Sequence, residues 1–434
     1  MKNDTFCPIP WIFQAVRNNG DIRICCQANV TKNQGVVRKD NSDPFNAGND
    51  NMELARNSTL MKEVRKNMLV GVWSDECGRC KSEEESGLNS RRQYELENWK
   101  FTVDDARAVT NKDGIIFDSK LKYYDLRFGN LCNLACRMCG PTDSHTWYEQ
   151  WTEYHQSNSY QDTHGIVMLE RNDKGRLHTE DYNWHGSESF WSQIEKNIPN
   201  IEHVYMAGGE PMMIERHYEF LQKCIDSDHA KNMIIEYNTN MTNLPNRVLE
   251  MWTKFKQVRV GASIDGIGDV LEYQRWPIKW SQAYKNLQKL DQYAQDNSNI
   301  IAWLACTVTS YNVWHIPEFM IWKLNESGFK KINSTKKRPI ITHHIAHGPK
   351  RVNIRILPEQ MKQDLKQFYS NSLDAFPLEH RNTAENILNS IVKYSMSADY
   401  SERLPEFVKF TNYLDKARNQ NILDIVPNYN KLFL

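Results

Sequence analysis

Six short apolar runs mark the middle of the chain: LKYYDLRF (121–128), EHVYMA (202–207), NMIIEYNT (232–239), QVRVGASI (257–264), IIAWLACTVT (300–309) and ITHHIAH (341–347). Each has the length and composition of a β-strand. The stretches between them, near 187–198, 213–227, 244–255, 280–296 and 314–327, read as helices. Strands alternating with helices require crossover connections, and crossovers make parallel sheets. The pattern predicts an α/β fold, a partial (β/α)6 TIM-type barrel over 120–350, with its chemistry at the C-terminal ends of the strands.

The flanks follow other patterns. Residues 1–100 are cysteine-containing, turn-rich and irregular, with a short strand in GDIRICCQANV (20–30) and a helix around 51–70. Residues 142–186 exceed an ordinary crossover and carry Trp147, Tyr148, Trp151, Tyr154, Tyr182 and Trp184. This insertion reads equally as a lid or substrate wall and as a satellite core. From 357, LPEQMKQDLKQFYSNSL opens a helical C-terminal region (357–434), with Pro358 near a helix start.

Composition narrows the choices. The 434 residues are 40% hydrophobic and 25% charged, an ordinary globular balance with room for two or three domains. Lys plus Arg and Asp plus Glu both number 54, so no global charge favours nucleic acid or an acidic membrane. The basic TKKRP (335–339) reads as a solvated loop. No apolar run approaches the roughly 20 residues that span a bilayer, and MKNDTFCPIPW lacks the apolar core of a secretory signal. A cytoplasmic location is expected. In a reducing compartment the 10 cysteines point to metal or redox roles rather than disulfides.

NLCNLACRMCGP (130–141) sets Cys132, Cys136 and Cys139 just past the first strand of the barrel pattern, spaced C-x-x-x-C-x-x-C. Thiolates suit zinc or iron–sulfur clusters. Three thiolates on a four-iron cube leave one iron open to a small molecule. The loop resembles the signature of the radical S-adenosylmethionine (radical SAM) superfamily. The resemblance implies a [4Fe–4S] cluster on Cys132, Cys136 and Cys139, with SAM chelating the open iron and Met138 beside the adenine, where the family usually has an aromatic or bulky residue.

Further segments match the family in order over roughly 121–350. MAGGEP (206–211) matches the G-G-E segment and implies that Gly208, Gly209 and Glu210 receive the SAM ammonium. In EYNTNMTN (236–243), Asn238 and Asn240 read equally as ribose or substrate ligands and as turn formers. VGASIDG (260–266) resembles the S-x-D-G motif and supplies Ser263 and Asp265. Arg275 in EYQRWP matches the arginine that pairs with the SAM carboxylate, and Asn312 in TVTSYN is expected near the adenosyl group.

A second cysteine set lies upstream: Cys7, Gly20, Cys25 and Cys26 in 6–26, then Cys77 and Cys80 in CGRC (77–80). The Cys7–Gly20–Cys25 spacing resembles the opening of SPASM and twitch domains. It implies a twitch-like auxiliary [4Fe–4S] cluster on Cys7, Cys25, Cys77 and Cys80, here placed before the barrel rather than after it. Four cysteines with a C-x-x-C also make a zinc pattern, so structural zinc is the alternative. LDKARNQNILDIVPNY (414–429) loosely resembles a twitch tail without its cysteine. Cys26 is spare and reads either as a replacement for Cys25 as ligand or as a packed thiol, and Cys224 and Cys306 read as buried thiols.

The expected function is a radical SAM enzyme that abstracts hydrogen from substrate, with the auxiliary cluster handling an electron. An electron donor such as flavodoxin or ferredoxin is implied. A peptide or protein side chain is favoured as substrate over a sugar or nucleotide-type small molecule, and Trp147, Trp151, Tyr182, His343 and His347 are candidate contacts. The readings from other classes are an iron–sulfur electron carrier and a zinc-stabilised binding protein.

Overall fold

All six apolar runs fold as strands. A computed structural model describes residues 5–28, 35–85, 87, 89–117, 119–162, 165–335 and 339–433. In chain order its strands are β1 (Phe13–Val16), β2 (Ile22–Arg23), β3 (Tyr123–Phe128), β4 (Ser159–Asp162), β5 (Gly165–Met168), β6 (Glu170–Arg171), β7 (Leu177–His178), β8 (His203–Gly208), β9 (Ile234–Thr239), β10 (Gln257–Ser263), β11 (Ile300–Val308) and β12 (Thr342–Ile345). β4–β5 and β6–β7 are antiparallel pairs of their own, and the other strands lie in mostly parallel arrays.

The chain divides into two compact units. The first comprises Met1–Cys132, Pro141–Tyr237 and Lys254–Gln257. Its part of the sheet runs in the order β2–β1–β3–β8–β9, with β1, β3, β8 and β9 parallel and β2 antiparallel to β1. Side chains alternate between the two faces of a strand. In β3, Tyr124, Leu126 and Phe128 point one way and are at most 1% exposed. Phe128 packs there on Trp184 and Trp191, with ring centroids 5.9 and 5.8 Å away. Tyr123, Asp125 and Arg127 point the other way, so the opposite face is polar. The helix Glu188–Lys196 covers the apolar face with Phe190, Trp191 and Ile194, and the Ser187 side chain caps it by accepting from Phe190 N.

The N-terminal hundred residues contribute a strand that the hydrophobic pattern does not announce. β1 pairs in parallel with β3, Phe13 opposite Tyr123 and Val16 opposite Leu126. Within GDIRICCQANV only Ile22–Arg23 is strand, because the chain turns at Cys25, whose sulfur accepts Gln27 N at 3.3 Å; Asn29 and Val30 lie outside the described residues. The helix expected at 51–70 is two, Met52–Arg56 and Thr59–Leu69. Ser58 starts the second by accepting Met61 N, and such caps favour a new helix over a continuous one.

The insertion after β3 has its own core: Tyr148, Tyr160, Val167, Leu169 and Tyr182 are buried together, with Trp151 packed against them.

The second unit comprises Asn133–Gly140, Asn238–Thr253 and Val258–Leu434. Its strands run β10–β11–β12, all parallel. Helices follow the strands as expected, among them Trp280–Asp296 and Ile316–Asn325. The C-terminal region is helical, with Glu359–Ser372, Leu378–Met396 and Leu404–Arg418 as its main elements, the first begun at Pro358. Lys336, Lys337 and Arg338 of the basic loop lie outside the described residues. Among the described residues no helix is long and apolar enough to cross a membrane.

Candidate functional site

In the first unit, β8 ends in Gly208, Gly209 and Glu210. Gly208 has φ +119, which only glycine adopts easily, and a Cβ there would come within 2.5 Å of Phe128 N. A Cβ on Gly209 would meet Leu131 O at 2.2 Å. The glycines thus let this turn lie directly on the backbone that leads into Cys132. Gly209 N donates to Gly129 O at 3.0 Å and Glu210 N to Leu131 O at 2.8 Å. The Glu210 side chain, 1% exposed, accepts Met212 N at 3.1 Å.

Cys132 is buried, and its N–H donates to His145 Nδ1 at 3.2 Å. His145 Nδ1 must therefore be unprotonated. Burial holds the imidazole below its usual pKa, which favours that state. No sequence motif marks His145. It reaches Cys132 only because its own N–H bonds Asn130 O at 2.9 Å.

In the second unit, Cys136 is buried and Cys139 half-buried. The hydrogen bond from Cys139 lowers the Cys136 pKa, and the Arg275 guanidinium adds to this against the effect of burial. Arg275 Nε bonds Asp265 Oδ2 at 2.6 Å. Burial opposes the Arg275 charge, but Asp265 and then Cys136 more than offset that. Asp265 is fully buried and also accepts Gln274 Nε2 at 2.9 Å and Thr307 N at 2.7 Å. Asn312 is fully buried too. Its amide donates to Asp265 O at 2.8 Å and Thr307 O at 3.0 Å, and its oxygen accepts Thr309 N at 2.8 Å. Asp265 and Asn312 therefore spend their polar atoms holding Arg275 and the ends of β10 and β11.

Asn240 is buried and donates to Asn133 Oδ1 at 3.0 Å, which ties the end of β9 to the cysteine loop. Asn238 is exposed, and Gly261 makes room for its side chain, since a Cβ there would meet Asn238 Oδ1 at 2.4 Å. Ser263 is half-buried at the end of β10, and Met138 is half-buried between the second and third cysteines.

Arg137, inside the loop, is fully buried. Its Nε donates to Tyr273 O at 3.0 Å, and its Nη2 reaches Asp415 Oδ1 at 2.6 Å and Gln420 Oε1 at 3.0 Å. The guanidinium lies 3.6 Å from the Tyr273 ring centroid. Asp415 also accepts Tyr273 OH and Ile422 N, at 2.8 and 2.7 Å. The segment 414–429 thus anchors the loop. Backbone bonds from Ala135 to Trp276 and from Arg137 to Gln274, both 2.8 Å, fix it further.

The upstream cysteines form a site within the first unit. Cys7, Cys25, Cys77 and Cys80 line one pocket together with apolar Val64 and Met68. Cys26 does not line it. Backbone N–H groups address several of these sulfurs: Ile9 bonds Cys7, Gln27 bonds Cys25 and Arg92 bonds Cys80. Burial pushes the Cys77 thiol up to about 12 and raises Cys7 and Cys80; a hydrogen bond with Cys26 and then burial raise Cys25. Arg92 joins the segments, with Nε 2.8 Å from Glu84 Oε1 and Nη1 3.1 Å from Phe6 O. Among the described residues no three His, Cys, Asp or Glu side chains converge as they would on a single ion.

Residues 126–309 match the Radical SAM superfamily. This stretch is a radical SAM domain. The chemistry of that superfamily uses a [4Fe–4S] cluster and S-adenosylmethionine. No curated protein sequence matches it. Among solved structures it is similar to anSMEcpe with bound AdoMet and a peptide, at 16% identity and a TM-score of 0.34, covering 58% of each chain. It is also similar to Streptococcus suis SuiB bound to S-adenosylmethionine, at 11% identity and a TM-score of 0.31, covering 78% of this chain and 64% of that one. The chain thus spans less than two thirds of the length of either, and likeness this weak carries no substrate or partner across.

Of the candidate substrate contacts, Trp147 and Tyr182 are each 1% exposed, and Tyr182 OH donates to Asp162 at 2.9 Å. Trp151 packs on the insertion core. His343 bonds Ser390 at 2.9 Å and His347 bonds Tyr394 at 3.2 Å, both on the helix Leu378–Met396.

Proposed function

We propose that this radical SAM enzyme works with two clusters and oxidises a peptide or protein side chain. The observation that supports it best is the contrast between a three-thiol loop and a pocket lined by four thiols. Cys132, Cys136 and Cys139 would hold the cluster that binds SAM, and Cys7, Cys25, Cys77 and Cys80 an auxiliary [4Fe–4S] cluster. Buried thiols with backbone N–H donors suit cluster thiolates, because iron supplies the positive charge that burial withholds. When bound, the first cluster and SAM would supply hydrogen-abstracting radical chemistry, and a cluster on Cys7, Cys25, Cys77 and Cys80 would supply an electron acceptor.

The protein's share is binding and orientation. Gly208, Gly209 and Glu210 would receive the SAM ammonium, and Arg275 its carboxylate. Ser263, Asn238 and Asn240 would contact ribose or substrate, with Met138 against adenine. Asp265 and Asn312 act by fixing Arg275. An electron donor such as flavodoxin or ferredoxin is part of this reading.

Anaerobically reconstituted protein with dithionite and SAM is expected to form 5′-deoxyadenosine. Cys132→Ala should abolish it. Iron content should be about eight per chain for two cubes, against about four plus one zinc for a zinc site. If no 5′-deoxyadenosine forms and Cys132→Ala leaves the iron unchanged, the protein is an electron carrier or binding protein instead.

A further inference from the structure

The polar face of the first-unit sheet carries an uneven charge. Register sets Arg23 beside Ala15, and Ala15 beside Asp125. The same row continues through Tyr205 to Glu236. Arg17 lies two residues beyond Ala15, and Arg127 two beyond Asp125. Paired neighbours and residues two apart share a face, with strands about 4.8 Å apart. Three guanidinium groups therefore gather over the small side chain of Ala15.

Too few carboxylates accompany them. Asp125, its side chain 4% exposed, sits 3.4 Å from Arg127 Nε. Glu236 is engaged by His203 at 3.3 Å, and Glu95 by Arg91. Arg17 Nη1 and Arg23 Nε are closed off from solvent without a hydrogen-bond partner. Arg23 Nη2 donates to Ala28 O. Arg127 keeps 42% of its side chain exposed, so the group remains reachable. Buried like charges are unfavourable without an anion between them, and arginine forks match planar oxyanions.

We propose that Arg17, Arg23 and Arg127 bind an anionic group of the substrate, a carboxylate or a phosphate. That the occupant is a substrate rests on the radical SAM reading; that it is an anion does not.

The test uses the full reconstituted chain and calorimetric titration with N-acetylglutamate, N-acetylglutamine and inorganic phosphate. Binding of an anion but not of N-acetylglutamine is expected, weakened at least tenfold by Arg23→Gln and by Arg127→Gln and partly restored by Arg23→Lys. Preference for N-acetylglutamate identifies a carboxylate, and preference for phosphate a phosphorylated substrate. SAM cleavage without substrate should continue in both Gln variants. The proposal is overturned if neither anion binds the unsubstituted protein, or if the variants bind as well as it does. It is also overturned if they lose iron, which would mean that the arginines serve Cys25 and Cys26, or if they lose SAM affinity to the same degree, which would mean that they hold SAM. Should the variants misfold, the comparison of anions with N-acetylglutamine on the unsubstituted protein still decides. Failure to form 5′-deoxyadenosine would sink the radical reading and leave the anion result standing.

Discussion

At the scale of single residues, the three-cysteine loop depends on partners that lie far from it along the chain. Cys132, Cys136, Cys139 and the Gly-Gly-Glu turn stand in short, local patterns. His145, Gln274 and Asp415 do not, because each acts through partners supplied by the fold. Asp415 lies 278 residues from Arg137. Arg137→Met should therefore destabilise the metal-free protein by about 3–5 kcal/mol, since it strands a mostly buried carboxylate, as read by urea unfolding. A loss under 1 kcal/mol, the usual worth of an exposed pair, would show that Asp415 is solvated. Gly209→Ala should fail differently. Its methyl would drive into the Leu131 carbonyl and displace the cysteine loop, so iron bound by that loop should fall while Cys7, Cys25, Cys77 and Cys80 keep theirs. Mössbauer spectroscopy separates the two populations.

At the scale of elements, the strands legible in the hydrophobic pattern are the long apolar ones, where burial and register agree. β1 is not legible there because FQAV has four residues, all buried, and no alternation to betray it. Its partner comes more than a hundred residues later. The insertion was ambiguous for another reason: aromatic composition looks the same whether rings face a ligand or one another, and only the folded hairpins show Tyr148, Tyr160 and Tyr182 packed together. The helix Gly78–Glu85 carries a testable load. It presents Cys80, follows directly on Cys77 and is fastened through Glu84 to Arg92. Cys77→Ser should lower iron from about eight to about four per chain. Arg92→Ala should loosen the same site without removing a ligand, so its iron should be lost faster to a chelator. Equal rates in Arg92→Ala and the unsubstituted protein would remove Arg92 from the account.

For the whole molecule, pH offers a measurable summary. Burial depresses the pKa of His145, His185 and His343, the last helped by His344. The unfolded chain then binds protons that the folded chain does not, beginning near the ordinary histidine value of 6.5. Stability should therefore fall as pH drops through that value and level off above it. Urea midpoints at pH 5.5 and 7.5 measure this, and His145→Gln should flatten part of the slope. A midpoint that rises on acidification would mean that these imidazoles are charged in the folded state.

The bond between Arg137 and Asp415 also has a consequence in time. A ribosome adds about 5–20 residues per second, so the 278 residues between them take about 14–56 s to synthesise. Throughout that interval the loop with three cysteines is already outside or leaving the ribosome, but the carboxylate that fixes it does not yet exist. A nascent chain stalled short of Asp415 should therefore present those thiols to alkylating reagents far more openly than the finished protein does.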